Sequence, residues 1–88
     1  MEKEELQKKY IKRLNIIEGQ IKGIKQMIVD ERLCSDILIQ IAAINKSTKS
    51  LGNQILKNYL SNNAITEIKK GNEEKIDEII KLFERMNG

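Results

Sequence analysis

The stretch Arg13-Leu-Asn-Ile-Ile-Glu-Gly-Gln-Ile-Lys-Gly-Ile-Lys-Gln-Met-Ile28 decides the fold. Beginning one turn earlier, the apolar residues Tyr10, Leu14, Ile17, Ile21, Ile24 and Ile28 are spaced 4-3-4-3-4. That is the stripe of a helix packed lengthwise on other helices, whereas a strand would alternate every second residue. A first helix is therefore expected from about Glu4 to Val29. Asp30-Glu31-Arg32-Leu33 breaks the pattern, and Cys34 or Ser35 opens a second helix. Its stripe, Ile37, Ile41, Ile44, Thr48, Leu51 and Ile55, repeats the same spacing. Helical propensity continues to about Lys70. Gly71 suits a C-terminal cap and Asn72 the N-cap of a third helix over about residues 73–86, with Glu73 and Glu74 in its first turn. Ile76, Ile79, Ile80 and Phe83 are its expected buried face. The chain has no proline and only three aromatic residues, so the reading is all-α, a single domain of residues 1–88 with three helices and no linker or repeat.

Eighty-eight residues bury only about 60 to 65% of the surface their unfolded chain exposes. One cysteine and no histidine leave neither an internal disulfide nor a structural zinc site to compensate. Two long apolar stripes cannot be covered by three helices, so the sequence points to self-association. The expected arrangement is an antiparallel four-helix-bundle dimer that assembles into a tetramer. No apolar run approaches the roughly 20 residues that span a bilayer, and no signal leader is visible. The expectation is a cytoplasmic protein without a membrane partner, in a compartment that keeps a lone thiol reduced.

The net charge is +3, but it is unevenly spread. Between Leu6 and Lys57 ten lysines and arginines face four acids. Multiplied by an oligomer, this segment makes a positive field suited to a polyanion such as DNA. On the first helix Lys9, Lys12, Arg13 and Gln20 fall beside or opposite the apolar stripe, and Gly19 and Gly23 leave that surface uncluttered. On the second helix Lys46 and Lys49 point away from the stripe. These six side chains are the candidate DNA-binding residues, with phosphate contact as their chemistry. The same features also fit a solvated surface with glycines that serve helix packing. Ile16 and Met27 share the region, so part of it also suits a contact between dimers.

The string Arg13-x5-Gly19-Gln20-x2-Gly23-Ile24, followed by Cys34-x-Asp36-Ile-Leu-x-Gln40-Ile-Ala-Ala-Ile44, resembles the copper-sensing and nickel/cobalt-sensing, metal-sensitive transcriptional repressor family. The likeness extends from about Leu6 to Met86. It implies a cytosolic, all-helical homotetramer that represses transcription by binding operator DNA without a helix-turn-helix. An effector bound between two subunits then releases it. In the copper-sensing branch the effector is Cu(I), held by the cysteine that opens the second helix and by a histidine and a cysteine 25 and 29 residues later. Cys34 matches the first ligand. The other two positions are Tyr59 and Asn63, which are poor soft-metal ligands. The nickel/cobalt branch needs histidines and the persulfide-sensing branch a second cysteine, and this chain has neither. The candidate effector set is thus Cys34, Tyr59, Asn63 and Glu78, with Cys34 as the sole metal-ligand candidate. The resemblance leaves Cu(I) open with an incomplete ligand set, beside a non-metal or thiol-reactive effector.

Helix geometry supports a shared site independently. Offsets of 25 and 29 residues are near whole turns, so Cys34, Tyr59 and Asn63 share one face of the second helix. Along that helix Cys34 and Tyr59 are about 38 Å apart at about 1.5 Å per residue, too far to meet within one chain. Antiparallel packing of two second helices, centred near Ser47 and Thr48, brings Cys34 of one protomer to Tyr59 and Asn63 of the other. A thiol at a helix start faces the positive end of the macrodipole, which favours the reactive thiolate, and Arg32 adds to this. Two other classes stand beside the repressor. One is a helical dimerisation adaptor. The other is a small all-helical enzyme like the chorismate mutases, with Arg13, Arg32, Lys46 and Glu78 around a dianion, although no motif of that family is present.

Overall fold

The computed structural model describes residues 2–61 and 65–88, and only helices and their connections occur among them. Helix α1 spans Glu2–Val29, α2 Cys34–Tyr59, α3 Ile65–Lys69 and α4 Glu73–Asn87. The all-α expectation holds, with four helices in place of three. The second helix, expected to continue to about Lys70, ends as α2 at Tyr59 and widens into a π turn at residues 60 and 61. Ser61 stands there, a residue type whose side chain competes for the helix backbone. Ser61 does so, its hydroxyl donating to the Lys57 carbonyl at 3.1 Å. The chain divides within α2 into two compact units, one ending at Leu51 and the other running from Gly52 to Gly88.

In the first unit α1 and the leading part of α2 form an antiparallel hairpin. α1 closes through the Arg32 amide donating to the Met27 carbonyl at 3.0 Å, with Glu31 in the left-handed region at φ 55°. Glycine is the usual occupant of that capping position. α2 begins on the Leu33 carbonyl, which accepts from the amides of Asp36 and Ile37 at 3.0 and 3.2 Å. Midway along the hairpin the Arg13 guanidinium donates to the Ser47 carbonyl at 3.4 Å. Ile17, 5% exposed, and Leu51, 4% exposed, are the only buried apolar residues among those described.

The expected stripes are split. On α1, Ile17 and Ile24 turn toward the interior together with half-buried Arg13 and Gln20. Leu14, Ile21 and Ile28, seven residues apart, remain 44, 44 and 59% exposed. On α2 the sevenfold series Ile41, Thr48 and Ile55 is likewise exposed. Each helix therefore uses one edge of its apolar stripe within the hairpin and leaves the other edge without a partner.

In the second unit α4 runs antiparallel along the end of α2, with Met86 against Gly52 and the Asn87 amide donating to Asn53 Oδ1 at 3.5 Å. Gly71, at φ 75°, closes α3 as expected, and the Asn72 amide donates to the Glu67 carbonyl at 3.1 Å. Asn72 is the N-cap of α4, its side-chain oxygen accepting from the Lys75 amide at 3.1 Å. Glu73 and Glu74 occupy the first turn, where they complement the helix dipole. The expected buried face of this helix needs correction: Ile76 and Ile79 are half-buried, but Ile80 and Phe83 are exposed. Leu82 and Met86 face α2 instead.

Candidate effector site and nucleic-acid interface

Cys34 is the first residue of α2, and its thiol is free and exposed. It belongs to the unit that ends at Leu51, whereas Tyr59 and Glu78 belong to the other. Asn63 lies outside the described residues. Of the four candidate effector residues, Tyr59 and Glu78 are brought together. Both line an open cavity of about 410 Å³ whose remaining walls are Gly52, Ile55, Leu56, Leu82 and Met86. The walls are apolar because α2 and α4 cross here with aliphatic side chains inward. Gly52 matters to its size, since a Cβ at that position would collide with the end of the Met86 side chain.

Tyr59 and Glu78 are both engaged by Lys75, which does not itself line the cavity and which no sequence pattern singles out. Its ammonium lies 5.2 Å from the centre of the Tyr59 ring and donates to Glu78 Oε2 at 3.5 Å. The interaction with the Tyr59 side chain, followed by the attraction of Glu78, raises the lysine above its ordinary value of 10.5, partly offset by desolvation. Whatever this interaction contributes to folding is present below the ordinary lysine pKa and is lost only as alkali passes the raised one. The one local signal is the one-turn spacing of Lys75 and Glu78 on a strongly amphipathic helix. What the sequence does not display is the return of α4 beneath Tyr59.

The donor set does not fit a copper(I) site. The chain offers one thiol and no imidazole, and the described residues hold no cluster of three potential ligands. Tyr59 is engaged with an ammonium group, which repels a metal cation. Soft cuprous ion calls for thiolate and imidazole donors, so no step is assigned to a metal here.

The basic residues divide. Lys9, Lys12, Lys46 and Lys49 are exposed. Arg13 is half-buried and bound to the Ser47 carbonyl. Gln20 is half-buried, its side-chain oxygen enclosed with no donor against it among the described residues. Gly19 and Gly23 have open space where a Cβ would stand. Helical phase, about 100° per residue, places Lys9 and Lys12 of α1 and Lys46 of α2 on one side of the hairpin. Leu14, Ile21, Ile28, Ile41 and Thr48 fall on the other. No described helix is long and apolar enough to cross a membrane.

The fold places the chain in a class of all-helical regulators. It superposes on the crystal structure of the copper-sensing repressor CsoR with Cu(I) from Geobacillus thermodenitrificans NG80-2 with a TM-score of 0.81 and 32% identity, covering 92% of this chain and 85% of that one. The nickel-responsive transcriptional regulator InrS matches with a TM-score of 0.76 and 33% identity over 90% of each chain. In sequence, the chain is 35% identical over 74 residues to the copper-sensing transcriptional repressor CsoR of Bacillus subtilis (strain 168), 83% of this chain and 73% of the relative. The family model described as metal-sensitive transcriptional repressor matches residues 6–85. The chain belongs to the metal-sensitive transcriptional repressor family, a family of repressors and not of enzymes.

Proposed function

We propose that this chain is a DNA-binding transcriptional repressor that works as a dimer or tetramer and leaves its operator when a non-metal effector acts between subunits. The observation that supports it best is the two-sided hairpin. Its apolar side, with Leu14, Ile21, Ile28 and Ile41 exposed, suits helix-on-helix packing against a second copy and the closing of a four-helix bundle. The opposite side carries Lys9, Lys12 and Lys46, whose ammonium groups are placed to neutralise phosphates, with Lys49 extending the patch. Arg13 is assigned a different part from the one its motif suggests: bound to Ser47, it fixes the spacing of the helices that carry those lysines. Without a recognition helix, much of the specificity comes from operator shape.

The effector site of this proposal joins Cys34 of one protomer to Tyr59, Asn63 and Glu78 of the partner subunit, as antiparallel pairing of α2 requires. An effector shifts the equilibrium only by its difference in affinity for the bound and free forms, typically about 1 to 3 kcal/mol of coupling.

Fluorescence anisotropy with duplex from the protein's own promoter, against scrambled duplex of the same length, tests the reading. Preference for the promoter is expected, with affinity falling steeply as salt rises. Equal binding to both duplexes removes the repressor assignment for this chain. Cys34→Ala is expected to abolish or weaken effector release while leaving DNA affinity unchanged. A full response in that variant moves the effector away from the sulfur.

A further inference from the structure

We infer that Asn87-Gly88 is a site of spontaneous covalent modification, gated by fraying of the last turn of α4, at which Asn87 loses its side-chain amide and that turn comes loose from α2. It is the only asparagine followed by glycine in the chain, and the fold itself calls for that glycine. Gly88 caps α4, its amide donating to the Glu84 carbonyl at 2.7 Å. A Cβ at Gly88 would stand 2.6 Å from the Glu84 carbonyl oxygen, so any other residue would force the backbone to shift. The same bareness leaves the Gly88 nitrogen unhindered toward the side chain of the residue before it. Asn87 is exposed, and its amide holds the junction from the other side, donating to the Phe83 carbonyl at 3.1 Å and to Asn53 Oδ1 of α2 at 3.5 Å.

In the closed helix end the Gly88 nitrogen is turned to Glu84 and cannot reach the Asn87 side chain. Helix ends fray at little free-energy cost, and the frayed form frees that nitrogen to attack the side-chain carbonyl carbon. The carbon–nitrogen bond of the side-chain amide breaks, and its nitrogen leaves as ammonia with the proton from the Gly88 amide. A five-membered succinimide remains, and water opens either of its carbonyls to give aspartate or isoaspartate. Water is the only co-reactant, and nothing is oxidised or reduced. Aspartate places a carboxylate at the negative end of the α4 dipole, one turn from Glu84 and without the amide that now bonds Phe83. Isoaspartate adds a methylene to the main chain and carries the Gly88 amide away from the Glu84 carbonyl. Either product undoes the turn that seats Met86 against Gly52. The inference stands apart from the repressor reading, since the reaction needs neither DNA nor effector.

Peptide mass mapping of the full-length protein, incubated native and denaturant-unfolded in warm, mildly alkaline heavy-oxygen water, tests the site. Asn87 is expected to exchange NH for a heavy oxygen before any other asparagine does, with isoaspartate as the larger product. The native protein should react several-fold more slowly than the unfolded one, because the cap must open first. Asn87→Gln should lose the modification, since glutamine would have to close a larger and less favourable ring. Asn87→Asp, which installs one product from the start, should speed hydrogen exchange at Met86 and Gly88 several-fold while leaving that of α1 unchanged. Modification first at another asparagine, or at Asn87 with equal speed in the two states, overturns the proposal. Unchanged exchange at Met86 and Gly88, both in Asn87→Asp and in the incubated protein, overturns the loosening of α4.

Discussion

The two units handle their apolar residues in opposite ways. In the α1–α2 hairpin the sevenfold series Leu14, Ile21 and Ile28 lies in the open along a regular helix, and the interior of the unit reduces to Ile17 and Leu51. In the unit from Gly52 onward, shorter helices fold back on themselves, and their aliphatic side chains surround a cavity that Tyr59 and Glu78 also line. Regular periodicity yields a surface for another helix, and interruption of that periodicity yields a hollow. The first arrangement suits assembly and the second suits recognition of something small.

The largest expected effect breaks the first half of this contrast. Ile21→Glu places a charge in the unpartnered stripe and should abolish self-association at micromolar concentration, a loss of at least about 3 kcal/mol per dimer from reduced apolar burial and a desolvated carboxylate. Sedimentation velocity measures it, and an unchanged sedimentation coefficient assigns the interface elsewhere. Next in size, Leu51→Ala should lower unfolding stability by about 2 to 4 kcal/mol through loss of a buried side chain and the void left behind, read from chemical denaturation. The double variant Lys12→Glu, Lys46→Glu should keep oligomeric state and stability but reduce promoter affinity, flattening the salt dependence by about one unit for each phosphate that a protomer no longer neutralises. Within the second unit, Asn72→Ala removes the N-cap of α4 and should cost about 1 kcal/mol, seen as a small drop in thermal midpoint. The smallest change sharpens the hairpin: Glu31→Gly relieves the left-handed backbone at φ 55° and should add about 0.5 to 1 kcal/mol of stability.

Legibility follows the same division. Spacing alone predicts α1, the start of α2 at Cys34 or Ser35, and the Gly71–Asn72 junction, because those features depend on local periodicity and capping. The end of α2 at Tyr59 is hidden, since Ile65 and Ile68 keep an apolar pattern going past it in the sequence. Arg13 and Gln20 look like outward polar residues in the sequence, yet they lie on the edge of α1 that meets α2. An a/d stripe seen in projection has two edges, and only packing decides which one faces the neighbouring helix. Lys75 escapes notice because its significance comes from Tyr59, 16 positions earlier in the sequence, and no local pattern links them. The resemblance to metal-sensitive repressors is borne out by the family match over residues 6–85.

The scarcity of enclosed side chains in the hairpin has a consequence for how its integrity must be measured. If its missing interior comes from a second copy, unfolding and dissociation are a single equilibrium, and mass action ties the melting temperature to total protein. Dilution then acts as a denaturant, so abundance in the cell would govern how much intact regulator exists at all.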